Sequence, residues 1–124
     1  MVIGVGVDIV EVSRLSSALE GTKTMETRVF TEREISYCHA RKNKFQHLSG
    51  RFAAKEAALK ALGTGWSQGI QWKDVEIVND DSGRPTLYFS GKAKEVFDQS
   101  GARHSLVTIT HSAQQAIAVV ILEK

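Results

Sequence analysis

Cysteine and proline each occur once in this chain, as Cys38 and Pro85, and no apolar run approaches the roughly 20 residues that a membrane-spanning helix requires. A single thiol excludes a disulfide framework within one chain, and with it the small secreted scaffolds that such frameworks hold together. The opening stretch Met1-Val2-Ile3-Gly4-Val5-Gly6-Val7 has no basic segment and meets Asp8 almost at once, so no secretory signal is expected. These absences give the expectation of a cytoplasmic protein with no membrane association.

What is present fits one domain over residues 1–124. Hydrophobic residues make up 42% and charged residues 24%, which excludes disorder. At this length about two-thirds of the unfolded surface can be buried. The net charge of +2 hides an asymmetry, because residues 14–60 hold ten Lys/Arg against five acids. That half offers positive charge to an anionic partner such as nucleic acid, a phosphorylated cofactor or an acidic protein.

The organising stretch is Arg51-Phe52-Ala53-Ala54-Lys55-Glu56-Ala57-Ala58-Leu59-Lys60-Ala61-Leu62-Gly63. Strong helix formers follow one another without a β-branched interruption, and Gly63 stands where a left-handed cap ends a helix. Phe45, Leu48 and Phe52 continue the period upstream, so one helix is expected over about 44–62, with Ser49-Gly50 as a place for a bend. Phe52, Glu56 and Lys60 share a face, which sets a carboxylate and an ammonium one turn, ~6 Å, apart. Glu56 and Lys60 then form either an exposed salt bridge or half of a site in which Glu56 holds a divalent cation and Lys60 neutralises phosphate. The choice turns on a second carboxylate.

Elsewhere, alternation over residues 2–8 predicts a strand with Ile3, Val5 and Val7 on the core and Gly4, Gly6 and Asp8 opposite. A helix capped by Ser13 runs to Glu20, with Val12, Leu15, Ala18 and Leu19 inward, and residues 22–30 carry no clear signal. Thr31-Glu32-Arg33-Glu34 is a capping box that opens a helix to about Arg41. A hairpin follows, with Val75 and Ile77 before the turn Asp80-Asp81-Ser82-Gly83, Pro85 at the start of the return strand and Thr86–Phe89 within it. A helix over 91–100 turns Ala93, Val96 and Phe97 inward, and strands over about 104–111 and 116–122 end the chain. The order βαααββαββ defines an α+β class, with helices packed on a largely antiparallel sheet.

Asp8, on a glycine-lined strand face open to a ligand, is the available second carboxylate. Two hard oxygen ligands with open positions suit Mg²⁺ completed by substrate phosphate oxygens. Arg51 is placed to clamp a further phosphate, and His111, ending a strand, is a third phosphate-facing candidate. Other motifs fail in context. Gly65-Trp66-Ser67-Gln68-Gly69 lacks the strand-serine-helix order of a nucleophile elbow, Gly4-x-Gly6 lacks its third glycine, and the adjacent Cys38 and His39 point apart, against zinc.

At these residues the chain resembles the holo-acyl-carrier-protein synthases, the small phosphopantetheinyl transferases of bacterial fatty acid synthesis. Gly6-Val7-Asp8 with Glu11 and Arg14, Phe30-Thr31, Gly50-Arg51-Phe52-Ala53-Ala54-Lys55-Glu56-Ala57 with Lys60, Gly63-Thr64-Gly65, Asp74-Val75-Glu76-Ile77, Gly83-Arg84-Pro85 and Thr108-Ile109-Thr110-His111 stand in that family's order and spacing. The resemblance implies transfer of phosphopantetheine from coenzyme A to a serine of an acyl carrier protein. Asp8 and Glu56 would hold Mg²⁺, Lys60 would neutralise the same phosphates, and Glu56 is also the candidate base. Arg51, Lys60 and His111 would bind coenzyme A, and Arg14 would dock the acidic carrier protein. Family members are homotrimers with sites between subunits. Two other classes stay open: a Mg²⁺-dependent phosphodiesterase, although Glu56 and Lys60 are four apart on a helix rather than two apart on a strand, and a non-catalytic nucleic-acid binder. The strands lack an aromatic platform, so nucleic acid is not the expected partner.

Overall fold

The computed structural model describes residues 1–124. Strand β1 (Val2–Glu11) pairs antiparallel with β5 (Gln115–Glu123), and β5 pairs antiparallel with β4 (His104–His111), giving a sheet ordered β1-β5-β4. Strands β2 (Val75–Asn79) and β3 (Pro85–Phe89) form a separate hairpin. Helices α1 (Val12–Gly21), α2 (Met25–Val29), α3 (Glu32–His39) and α4 (Lys44–Leu62) lie between β1 and β2, and α5 (Gly91–Gln99) precedes β4. The class is α+β and the strand pairs are antiparallel, as expected. Two details differ: the expected single sheet is two, and α2 adds a helix in the segment that gave no signal.

Helix α4 is the centre of the core. Ala53, Ala54, Ala57, Ala58 and Leu59 are buried, and their small side chains let the helix lie close on the three-stranded sheet. It runs unbroken through Ser49-Gly50, where β4 packs so tightly that a Cβ on Gly50 would lie 2.8 Å from Ile109 Cγ2. Gly63, at φ 80°, closes the helix as expected.

The strand β1 reverses the expected facing. Gly4 and Gly6 point at α4, where added Cβ atoms would stand 2.3 Å from the Ala61 carbonyl oxygen and 1.8 Å from that of Ala57. Contact between strand and helix backbone leaves room for glycine alone on this face. Val5, Val7 and Ile9 face outward instead and are 60%, 55% and 55% exposed. The glycine face is therefore taken up by α4 rather than left open to a ligand. The strand also continues to Glu11, so α1 starts at Val12 without the Ser13 cap; the Val12 N–H is tied to the Gln114 carbonyl at 2.9 Å.

A buried ion pair joins α3, α4 and β2. Thr31 and Glu34 form the expected capping box, with Thr31 N–H donating to Glu34 Oε1 at 2.9 Å and Glu34 N–H to Thr31 Oγ1 at 3.3 Å. The fully buried Glu34 carboxylate also accepts from Ile77 N–H at 3.0 Å and meets Lys55 Nζ at 2.8 Å. Lys55 donates to the Val75 carbonyl and, at 3.2 Å, to that of Trp72. Burial pulls the Lys55 ammonium below its ordinary pKa, and Glu34 opposes that shift. Lys55→Met removes one partner and leaves a buried carboxylate without its counter-charge, a loss of about 3–5 kcal/mol. Urea unfolding is expected to show a midpoint far below that of the parent protein; equal midpoints would mean that the Glu34–Lys55 pair adds nothing net to stability.

Candidate active site

Strand β1 delivers Asp8 to the surface beside α4 just beyond the glycine contact. Lys60 Nζ donates to Asp8 Oδ1 at 3.0 Å and to the Val7 carbonyl at 3.1 Å. Lys60 thus pairs with the strand acid, and the exposed Glu56–Lys60 salt bridge is not what forms. Asp8, Glu56 and Lys60 share a groove of about 460 Å³ with Arg14 of α1 and with Phe52 and Met25.

Both carboxylates stand in each other's field. Burial pushes the Glu56 carboxyl above the ordinary glutamate range, and the Asp8 charge adds to the rise. The Trp66 indole N–H and the Lys60 ammonium act in the opposite direction. That indole nitrogen is buried and has no well-aligned acceptor, so it contributes a weak contact rather than a full hydrogen bond. The two acids offer hard oxygens and Lys60 a cation, with room left for phosphate; Glu11 lines the same groove, but no three His, Cys, Asp or Glu side chains come together as a closed metal cage.

Arg51 and His111 lie elsewhere. Five residues along α4 from Glu56 is a turn of ~140°, which aims Arg51 away from the acidic groove. It lines a second pocket of about 180 Å³ with His111, His47, Tyr37 and Asn79. Arg51 is 3% exposed; it donates from Nη2 to Asn79 Oδ1, and its Nε has no partner. Its guanidinium carbon stacks 4.1 Å from the Tyr37 ring centroid, and that of Arg41 stacks 3.3 Å from the same centroid. The His111 Nδ1 lies 3.1 Å from Gln46 Oε1. No carboxylate lines this pocket. A buried cation with an unmet donor and no carboxylate beside it is chemically suited to an anion.

Sequence reasoning missed His47 and Tyr37. His47 stands one helical turn before Arg51, and that spacing is the signal that would have placed it on the same face. Ser67, rejected as a nucleophile, donates its hydroxyl to the Thr64 carbonyl at 2.5 Å in the loop after α4. Cys38 is buried with its thiol pushed up to about 11, chiefly by burial, which disfavours the thiolate near neutral pH.

An Asp-Glu-Lys groove and a separate cationic pocket on one small α+β domain suit a phosphorylated ligand. The chain belongs to the 4′-phosphopantetheinyl transferase superfamily, whose model matches residues 4–120. It is similar to a holo-[acyl-carrier-protein] synthase of a Geobacter species, 46% identical over the full length of both chains. Among solved structures it is similar to the holo-(acyl-carrier-protein) synthase of Bacillus anthracis in complex with CoA (3′,5′-ADP), at 34% identity and TM-score 0.82, covering 100% of this chain and 98% of that one. The Neisseria meningitidis holo-[acyl-carrier-protein] synthase matches at 27% identity and TM-score 0.89, with both chains covered completely. This chain is thus an enzyme of the phosphopantetheinyl transferase class.

Proposed function

We propose that this chain, acting as one transferase domain over residues 1–124, moves the 4′-phosphopantetheine arm of coenzyme A onto a serine of an apo-acyl carrier protein. The serine oxygen bonds to the phosphorus that carries the arm, the bond from that phosphorus to the adenylate side breaks, and adenosine 3′,5′-bisphosphate leaves. The observation that carries the reading is the meeting of Asp8, Glu56 and Lys60 in one groove of a chain whose relatives match over their whole length.

Asp8 and Glu56 would hold Mg²⁺, which when bound supplies positive charge to the diphosphate oxygens. Lys60 adds a fixed cation on the same side, aimed where negative charge grows as the bond breaks. Glu56, with its raised pKa, is suited to take the serine proton. The Arg51 and His111 pocket receives the remaining phosphate of coenzyme A. Lys60 belongs to both the catalytic and the coenzyme-binding set.

Mass spectrometry of apo-acyl carrier protein incubated with coenzyme A, Mg²⁺ and this chain is expected to show a mass gain equal to one phosphopantetheine. Hydrolysis of coenzyme A without carrier modification would select the phosphodiesterase reading, and neither outcome with nucleic acid bound would select the binder. Against that binder, the outer sheet face presents Val, Ile and Leu rather than stacking aromatics.

Arg14, exposed on α1 and lining the groove, is our candidate for carrier docking. Acyl carrier proteins are acidic around the modified serine, so Arg14→Glu is expected to raise the carrier KM about ten-fold at low salt with coenzyme A affinity unchanged. Equal carrier KM values would remove Arg14 from the docking surface.

A homotrimer is the assembly we propose. Val5, Val7 and Ile9 pair across the sheet with Ile121, Val119 and Ile117, and Leu106 stands on β4 opposite Ile121, which makes one continuous apolar face outside the core. A patch of this kind marks an interface. Val5→Glu is expected to sediment as a monomer with unchanged circular dichroism; sedimentation as the parent oligomer would place the interface elsewhere. We place the reaction in the cytoplasm, a reading supported by the single buried thiol, and no helix is long and apolar enough to cross a membrane.

A further inference from the structure

We propose that His47 makes the Arg51 pocket selective for a phosphate monoester, by accepting a proton when the dianion binds. This rests on the reading of that pocket as the second phosphate site of coenzyme A. The His47 ring stands edge-on to His111 at 4.9 Å between centroids and to Tyr37 at 5.9 Å. His47 lines the pocket and, unlike His111, spends neither ring nitrogen on a side-chain hydrogen bond within the chain.

The charged and titratable groups around His47 are Tyr37 and Arg41 from α3 and the turn after it, Arg51 from α4 and His111 from β4. Strand β2 contributes the neutral Asn79. Burial, then His111, Arg41 and Arg51, hold the His47 imidazole below the ordinary value of 6.5, which favours the neutral ring in the free protein. A bound dianion reverses that field. The histidine pKa rises on binding, and between the free and bound values each binding event takes one proton from solvent. Affinity assisted in this way is full below the free value, and it is lost as pH rises through the bound value.

Coenzyme A has one monoester, its 3′-phosphate, which is largely dianionic near neutral pH because the second ionisation of a phosphate monoester lies near about 6. Each phosphorus of its diphosphate carries one ester and one anhydride link, which leaves a single ionised oxygen. With the diphosphate assigned to the Asp8–Glu56 groove, the 3′-phosphate is the group left for this pocket. His47 therefore discriminates by charge state, where Arg51 alone accepts either form.

The test follows the four histidines by NMR in the protein with Mg²⁺ and no carrier, using coenzyme A and 3′-dephospho-coenzyme A as probes. The His47 ring signals are expected to titrate below pH 6.5 in the free protein and with 3′-dephospho-coenzyme A, and above it with coenzyme A. Calorimetry in two buffers of different ionisation enthalpy is expected to show proton uptake for coenzyme A in the parent protein and in His111→Gln, and none in His47→Gln. In His47→Gln, coenzyme A is expected to bind about ten-fold more weakly at pH 7, with the gap closing at higher pH, since a charge-assisted bond is lost. Equal His47 midpoints with the two probes, or uptake retained in His47→Gln, would overturn the proposal while leaving the anion pocket standing. Equal affinity of the parent protein for both probes would overturn the anion pocket and this inference together.

Discussion

Asp8→Asn is expected to lower the single-turnover rate of transfer several hundred-fold while leaving thermal unfolding unchanged. The asparagine keeps the shape and one acceptor oxygen, and Lys60 keeps its 3.1 Å bond to the Val7 carbonyl, so β1 and α4 stay in place. What disappears is the negative charge shared with Glu56 in the groove. A cation held by one carboxylate instead of two is weaker and differently placed, and a transition-state electrostatic contact of this type is worth about 3–4 kcal/mol. The Glu56 carboxyl is also freed of the repulsion from Asp8 and ionises more readily, so any residual activity would extend to lower pH. Near-parent turnover at saturating Mg²⁺ would reduce Asp8 to a partner that anchors Lys60.

Gly6→Ala has the larger structural effect. The new methyl would lie 1.8 Å from the Ala57 carbonyl oxygen and 2.8 Å from both the Ala57 carbonyl carbon and the Ala61 nitrogen. All three atoms are backbone, so no rotamer change makes room, and α4 must lift away from the sheet on which its alanines pack. A loss above about 4 kcal/mol is expected, a large share of the roughly 5–15 kcal/mol that holds a domain of this size. Gly21→Ala is the control, since nothing lies within 4 Å of its added Cβ. Urea midpoints that drop for Gly6→Ala and stay level for Gly21→Ala bear out the close approach; a level midpoint for both would show that the sheet and helix have slack.

The same glycines show why the sequence was legible in part. Alternation in β1 revealed two faces correctly, but the rule that the apolar face turns inward chose the wrong one. A helix that approaches backbone to backbone selects glycine on its own side, and the Val and Ile side chains are left on the exposed face. Helix α2 went unseen because five residues do not make a period. The capping box at Thr31 was readable, since its bonds are local, whereas the Glu34–Lys55 pair joins distant segments and breaks the habit of placing lysine in water. In the site, Asp8, Glu56, Lys60 and Arg14 were found through spacing and family resemblance, and the structure gathers them in one groove. His47 was passed over because a lone histidine in a helix gives no sign of what lies across from it; only tertiary packing brings His111 and Tyr37 to its side.

Strand β1 pairs with a single neighbour, β5, and every rung of that ladder joins residues about a hundred positions apart. During synthesis β1 is made early and its only partner late, so the alternating Val and Ile strand waits with both edges unpaired while α1 to α4 are already available to collapse. Long-range pairing of this kind slows folding, and an open apolar strand is a template for association with other chains. Asp8 lies on that waiting strand, so the groove it shares with Glu56, Lys60 and Arg14 is complete only once β1 has docked on α4.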